Sequence, residues 1–460
     1  GSNYHGGDLD GLTEKINYLY GLGVNTIWIT PIVDNTDMNA LETDVNGSYG
    51  YHGYWASDFT KLNPHLGDED DLRALINAAH AKGMKIMVDV VLNHAGYGTE
   101  EYFNKIIPVR DAFDANNEQV YKDMIRDTSN TVSGDEKMDS LSGLPDFVTE
   151  DEEVRAKLIE WQTGWMSKFE IDYYRVDTVK HVEDTTWVEF KNELTKINSR
   201  FKLIGEYYDA GFYNDFGQLD SGKMDSILDF NFNDILFNLA GENLAAIEDA
   251  LAERNTLLSN TATMGSFLSS HDENGFLYEL INSHNESESW AAQLMKVAAT
   301  YQITAKGQPV IYYGEEIGLT GSKEYPAQTN RYDFDWDEQL RQKDDTDSMY
   351  SHYKTMLNIR RLYSEVFAKG DRYSVVYPNV QETHLNYTPQ GYSVFARSYG
   401  DTTLYVGTNV WGADKEVTFY VEGKTGSVYK DLYNNKTYTV KSDGSITITI
   451  PGLTDGNGTA

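Results

Sequence analysis

Asp172-Tyr173-Tyr174-Arg175-Val176-Asp177 is the stretch that decides how this chain reads. Tyrosine and valine favour a pleated, half-buried strand, and the run stops at a carboxylate. The arrangement recurs twice. Lys202-Leu203-Ile204-Gly205 is followed by Glu206, and Ser266-Phe267-Leu268-Ser269-Ser270-His271 by Asp272. One acid past one strand is only a polar residue at a strand end. Three of them along an alternating strand and helix chain stand where a (β/α)8 TIM barrel gathers its reactive groups, at the C-terminal ends of its strands.

Working outward, the alternation holds to about residue 370. Lys85-Ile86-Met87-Val88-Asp89-Val90-Val91 is nearly continuous in apolar character, as expected of a parallel strand buried on both faces. Further strands are predicted at 26–29, 226–230 and 309–313. Leu12, Ile16, Leu19 and Leu22 fall at helical spacing and predict one helix near the turn Gly21-Leu22-Gly23. Leu72, Leu75, Ile76 and Ala79 predict another, opened by the acidic run Asp68 to Asp71, which suits a helix N-terminus. Between 95 and 150 the pattern gives way to polar, irregular sequence too long for a simple loop. From 371 onward, short alternating runs such as Val417-Thr418-Phe419-Tyr420-Val421 and Ser445-Ile446-Thr447-Ile448-Thr449-Ile450 are separated by Gly, Asn and Asp turns, the pattern of an antiparallel β-sandwich. The expected organisation is a barrel over 1–94 and 151–370, an inserted irregular subdomain over 95–150 after the third strand, and a C-terminal β-sandwich domain over 371–460.

Composition narrows the function. The 460 residues carry 72 acidic and 38 basic side chains, a formal charge of −34. Such a field repels nucleic acid and anionic lipid, and no apolar run approaches the ~18 residues of a membrane span. A neutral substrate or bound divalent cations suit it, although most of the acid excess reads as solvated surface. With no cysteine, neither a disulfide nor a thiolate metal site can form. The 33 tyrosines, 18 phenylalanines and 8 tryptophans can stack on sugar rings or fill a core. Paired strand-end carboxylates across a sugar are the usual apparatus of glycoside hydrolysis.

In chain order stand Asp89-Val90-Val91-Leu92-Asn93-His94, Tyr174-Arg175-Val176-Asp177-Thr178-Val179-Lys180-His181, Gly205-Glu206 and Ser270-His271-Asp272. This series resembles the four motifs of the α-amylase family of glycoside hydrolases. Leu144-Pro145-Asp146-Phe147 resembles that family's additional motif in the inserted domain. Tyr51-His52-Gly53-Tyr54-Trp55 with Asp58-Phe59 resembles the sugar-platform segment of α-amylases and cyclodextrin glucanotransferases. The resemblance implies that Asp177 is the nucleophile, Glu206 the general acid/base and Asp272 the carboxylate that stabilises the transition state. Arg175, two residues before Asp177 and on the same strand face, would keep the nucleophile ionised. Acidic neighbours would push Glu206 toward its protonated form. His94 and His271 are expected on the hydroxyls of the cleaved sugar, Tyr54 beneath its ring, and His52 and Trp55 as supports, with His52 within reach of the sugar. Lys180 and His181 are expected on the leaving-group side, and Arg331 beside the donor sugars. Asn93, Asp146 and the carbonyl of His181 resemble calcium ligands, hard oxygen donors suited to Ca²⁺, which would pin the insertion to the barrel.

Two departures qualify the resemblance. The family's first barrel strand is not evident in this chain ahead of Gly7-Asp8-Leu9. Ser269-Ser270 and Tyr207-Tyr208 replace residues common beside the motif carboxylates, which bears on linkage preference more than on hydrolysis. The leading expectation is retaining endo-hydrolysis of α-1,4 bonds in starch-like α-glucans by a monomeric, secreted or cell-surface enzyme of bacterial type, with no signal peptide in the chain. A cyclodextrin or maltodextrin hydrolase or a glucanotransferase is the near alternative. The single β domain favours hydrolysis, since typical glucanotransferases carry further starch-binding modules. A non-catalytic glucan-binding protein on the same scaffold is the alternative of another class, and the three retained carboxylates oppose it.

Overall fold

A computed structural model describes residues 3–36, 49–127, 134–219, 222–257, 264–325, 327–378, 381–383, 386–388 and 390–460. They fall into two compact units. One holds Gly1–Tyr20, Val24–Tyr208 and Phe216–Leu228; the other holds Gly21–Gly23, Asp209–Asp215 and Asp229–Ala460. Seven parallel strands occur in chain order among the described residues. With their intervening helices and the antiparallel strands after residue 370, they give a (β/α)8-type barrel carrying a C-terminal β-sandwich.

In the first unit, Thr26–Ile29 pairs with Lys85–Val90, which pairs with Tyr173–Val176, which pairs with Lys202–Gly205. Ser226 and Ile227 extend the sheet beside Ile204 and Gly205. Only Lys85 is exposed in Lys85–Val90, as a strand covered on both faces requires. Register sets Asp89 beside Arg175, so an acid and a base share one face of an otherwise apolar sheet.

The helix Glu69–Ala81 buries the four apolar residues its spacing predicts, Leu72, Leu75, Ile76 and Ala79. Its start is fixed by a capping box in which the Asp68 carboxylate accepts from the Asp71 N–H and Asp71 accepts from the Asp68 N–H. The single helix expected over Leu12–Leu22 is instead two, Leu9–Glu14 and Ile16–Leu22. The Lys15 N–H bonds to Leu12 O at 3.0 Å, three residues back rather than four, and that tightened turn breaks the helix.

The stretch expected to be irregular has structure of its own. It contains the helix Glu100–Phe103 and an antiparallel pair, Ile107–Phe113 with Gln119–Lys122. Two isolated bridges tie its later part down, His94 with Asp146 and Ile125 with Phe147. Beneath them Phe103 and Phe147 meet edge to face at 5.2 Å, and Phe59 stacks on Trp161 at 5.3 Å. Burial of such rings stabilises by roughly 1.5–3 kcal/mol each.

In the second unit, Met264–Phe267 pairs in parallel with Gln308–Val310. The strand expected to begin at Ser266 starts two residues earlier and stops at Phe267. Its partner is only three residues long, and Ser269 Oγ already accepts the Phe276 N–H at 2.9 Å, so the chain has turned into a loop before Asp272. The helix Glu288–Thr304 is buried on every side from Leu294 to Thr304, as a helix enclosed by other elements must be. Tyr301 Oη bonds Thr408 Oγ1 at 2.8 Å and Lys296 Nζ bonds Asn457 Oδ1 at 2.7 Å. These join the helix to the β-rich end of its own unit. There Tyr392–Tyr399 pairs with Asp371–Val376 and Thr402–Asn409, and Lys415–Tyr420 with Ser445–Ile450. Val394, Val417, Phe419, Ile446, Ile448 and Ile450 form its core.

Glu315, in the short turn after Gln308–Val310, is 1% exposed. Ser269 and the Tyr312 backbone offer its carboxylate hydrogen bonds that favour the charged form. Burial, with Glu316 adding to it, pushes the carboxyl up to about 8. A folded-state value above the unfolded one means the folded protein holds the extra proton, so this stabilisation is complete below about pH 4.5 and is lost as pH rises toward 8. Glu315→Gln, which needs no proton, is expected to flatten the decline of unfolding free energy over that window. Parallel pH profiles for parent and variant, by urea titration at each pH, would refute this assignment.

Candidate active site

The first unit brings one cluster of predicted residues together around Arg175. Its guanidinium is 1% exposed because it projects from the middle of a buried strand. Nη1 donates to Asp89 Oδ1 and Oδ2 at 3.0 and 3.1 Å and to Asp177 Oδ1 at 2.6 Å, and Nη2 lies 3.8 Å from Glu206 Oε2. The Trp28 ring lies 5.0 Å from the guanidinium. Burial works against the arginine's charge, but Asp89, Tyr54, Asp177 and Glu206 together hold it well above its ordinary value. Asp177 and Glu206 therefore face a common cation, each one residue past its strand.

The turn after Asp177 aims the second carboxylate. Thr178 has φ +50 and ψ +40, and its N–H donates to Glu206 Oε2 at 2.7 Å. Asp177 N–H bonds Val90 O at 3.0 Å, and Glu206 N–H bonds Val176 O at 2.8 Å. Backbone bonds thus fix both acids before any side chain is considered.

Asp89 has no role in the sequence reading, yet it anchors the cluster. Besides Arg175 it accepts from Tyr54 Oη at 2.7 Å and from Trp28 Nε1 at 3.2 Å. An acid in the centre of a fully apolar run was the available signal. Tyr54 is presented by Gly53, whose φ is +89 and where a Cβ would sit 2.8 Å from Pro31 O, leaving no room for a side chain. His52 Nδ1 accepts the Tyr54 N–H at 3.0 Å, and its ring meets that of Trp55 edge to face. Tyr97 continues this aromatic wall, 5.3 Å from Trp55. His94 is 2% exposed. Its Nε2 lies 3.1 Å from Tyr54 O and its Nδ1 3.2 Å from Asn93 Nδ2. Burial lowers its pKa, with Asp177 opposing, so a neutral ring donating to Tyr54 O fits both contacts. Lys180 and His181 converge on one residue of the insertion. Lys180 Nζ pairs with Glu136 Oε1 at 2.9 Å, and His181 Nδ1 lies 3.0 Å from Glu136 O.

The second unit groups the other predicted residues. Asp272 Oδ2 lies 3.0 Å from His271 Nε2, and Arg331 Nη2 lies 3.2 Å from Asp272 Oδ1. Arg331 Nε also donates to His271 O at 2.8 Å. Asn330, which the sequence reading passes over, ties the loop by donating to His271 O at 3.1 Å and Glu273 O at 2.9 Å.

The residues expected to hold calcium are adjacent in part. His94 and Asp146 form a bridge, and the Phe147 N–H bonds Asn93 O at 3.0 Å, so Asn93 and Asp146 lie on adjoining segments. Asp146 Oδ2, however, accepts from Arg126 Nε at 2.9 Å, and Asn93 Nδ2 faces His94. Burial pushes Asp146 up to about 7 even with Arg126 opposing, and Glu150 and Glu183 add to the rise. No group of three or more His, Cys, Asp or Glu side chains suited to a metal occurs among the described residues. A guanidinium already on the carboxylate is a poor neighbour for a divalent ion that takes six to eight oxygens. Asp146 taken by Arg126, with the Asn93 amide nitrogen turned to His94, does not fit a calcium ion at these two residues.

Two acids thus stand on one buried guanidinium at neighbouring strand ends. The "Alpha amylase, catalytic domain" family model matches residues 1–382, and the chain belongs to that family. It is 29% identical to an "Alpha-amylase" of Streptomyces lividans over 97% of this chain and 55% of that protein. It is 27% identical to "Neopullulanase 2" of Thermoactinomyces vulgaris over 93% of this chain and 67% of that protein. The chain thus spans little more than half the length of the Streptomyces relative. Among solved structures, an Anoxybacillus α-amylase superposes with a TM-score of 0.77 at 26% identity, covering 98% of this chain and 90% of that one. CldA, described as a cyclomaltodextrin glucanotransferase with a three-domain ABC distribution, superposes with a TM-score of 0.77 at 25% identity, covering 100% of this chain and 91% of that one. No helix among the described residues is long and apolar enough to cross a membrane.

Proposed function

We propose that the chain hydrolyses α-1,4-glucosidic bonds within starch-like glucans, with retention of anomeric configuration. The observation that carries this reading is the shared buried cation. Arg175 holds Asp177 in place and lies 3.8 Å from Glu206. On this reading Asp177 attacks the anomeric carbon while the Glu206 carboxyl protonates the glycosidic oxygen, which leaves with its sugar chain. Water, deprotonated by Glu206, then displaces Asp177 from the glycosyl-enzyme and restores both groups. Asp272, steadied by His271 and Arg331, takes the third carboxylate role that its motif assigns. Tyr54 and its aromatic neighbours offer a stacking face, and Lys180 and His181 belong to the leaving-group side.

A second reading, transfer to another sugar or action on cyclodextrins, has its own support. CldA shares the fold over the whole chain, so a single C-terminal β domain does not separate hydrolysis from transfer. Product profiles on amylose, pullulan and cyclodextrin, with proton NMR of the first anomer released, test both. Malto-oligosaccharides appearing from amylose as α-anomers support the proposal. An initial β-anomer would overturn retention, and cyclic products from amylose would favour the transferase.

A further inference from the structure

We propose that Arg126, and not a calcium ion, is the cation that clips the inserted segment down, so that the fold holds without metal. The backbone places it. Ile125 bridges Phe147, the Arg126 N–H donates to Asp146 O at 2.7 Å, and the Val148 N–H donates to Met124 O at 2.9 Å. The Phe147 N–H bonds Asn93 O at 3.0 Å, and the Ala95 N–H bonds Pro145 O at 2.9 Å. The stretch 145–148 thus lies between the end of the strand Lys85–Val90 and the segment 124–126. Arg126 is carried by the outer of these layers, and its guanidinium turns onto the middle one.

All three nitrogens of that guanidinium are used. Nε donates to Asp146 Oδ2 at 2.9 Å, and Nη1 and Nη2 reach Glu150 Oε1 and Oε2 at 2.5 and 2.6 Å. The side chains of Arg126 and Asp146 are 9% and 2% exposed. The planar fork of N–H donors matches the half-exposed Glu150 carboxylate in two-point contact, and the buried single contact to Asp146 is little screened by salt. The arginine stands on the same Asp146 carboxylate that the motif offers to a metal. It supplies the positive charge that would otherwise be sought from solution, and a Ca²⁺ entering there would displace or repel it.

The test uses the intact protein and does not depend on the proposed reaction. Purified chain is stripped with EGTA, its calcium content is measured by elemental analysis, and its melting temperature is compared with and without millimolar CaCl₂. The expected result is the same Tm in both, together with a fall of roughly 5 °C or more for Arg126→Met, since breaking a buried pair leaves a carboxylate uncompensated. A Tm that falls on stripping and returns with calcium would overturn the proposal. So would an Arg126→Met protein that melts with the parent. Should that variant fail to fold, the chelator comparison on the parent chain still decides the matter.

Discussion

Asp177→Asn and Glu206→Gln are each expected to slow starch hydrolysis by roughly 10⁴-fold or more, since nucleophile and acid act as a unit. The two variants should differ in a diagnostic way. An activated glucoside with a good leaving group needs little protonation, so Glu206→Gln should recover part of its first step on such a substrate. Asp177→Asn should not, because no leaving group replaces a missing nucleophile. Both should stay folded, as Asp177 N–H and Glu206 N–H keep their bonds to Val90 O and Val176 O. Turnover of starch near the parent rate in either variant would end the assignment, and equal losses on both substrates would remove the distinction of roles.

Asp89→Ala should be the most damaging single change to stability near this site, costing about 3–5 kcal/mol in urea unfolding. Asp89 and Arg175 are each 1% exposed, and the substitution takes away the two-oxygen partner of a buried guanidinium. It also removes the Asp89 acceptor from Tyr54 Oη and Trp28 Nε1. Asp89→Asn keeps an acceptor and should lose less stability, while still slowing turnover by loosening Arg175 beneath Asp177. An Asp89→Ala protein within about 1 kcal/mol of the parent would show that the neighbouring acids suffice to hold the guanidinium.

What could be read from sequence follows from what leaves a local trace. Short strand-forming runs ending at Asp177 and Glu206 locate two strands to within a residue, because tyrosine, valine, leucine and isoleucine favour a buried strand. The helix Glu69–Ala81 was legible for the matching reason, its period and its acidic cap. Met264–Phe267 was misplaced by two residues because pairing stops where the partner strand does, and a run of small and apolar residues does not mark that point. Asp89 sat inside a strand pattern and read as scenery. Arg126 lies in polar sequence with nothing to single it out, and its partners Asp146 and Glu150 are 20 and 24 residues away. Long-range polar partners of this kind are set by the fold alone.

Thr178 places a local liability at the centre of the site. A β-branched residue in the left-handed region costs of order 1–3 kcal/mol, and here that backbone aims its N–H at Glu206. Glycine would take the same conformation without penalty and would also free the turn to leave it. A selection for heat resistance that never measures turnover would therefore be drawn to position 178. It would return a sturdier protein whose two acids are less firmly held toward each other.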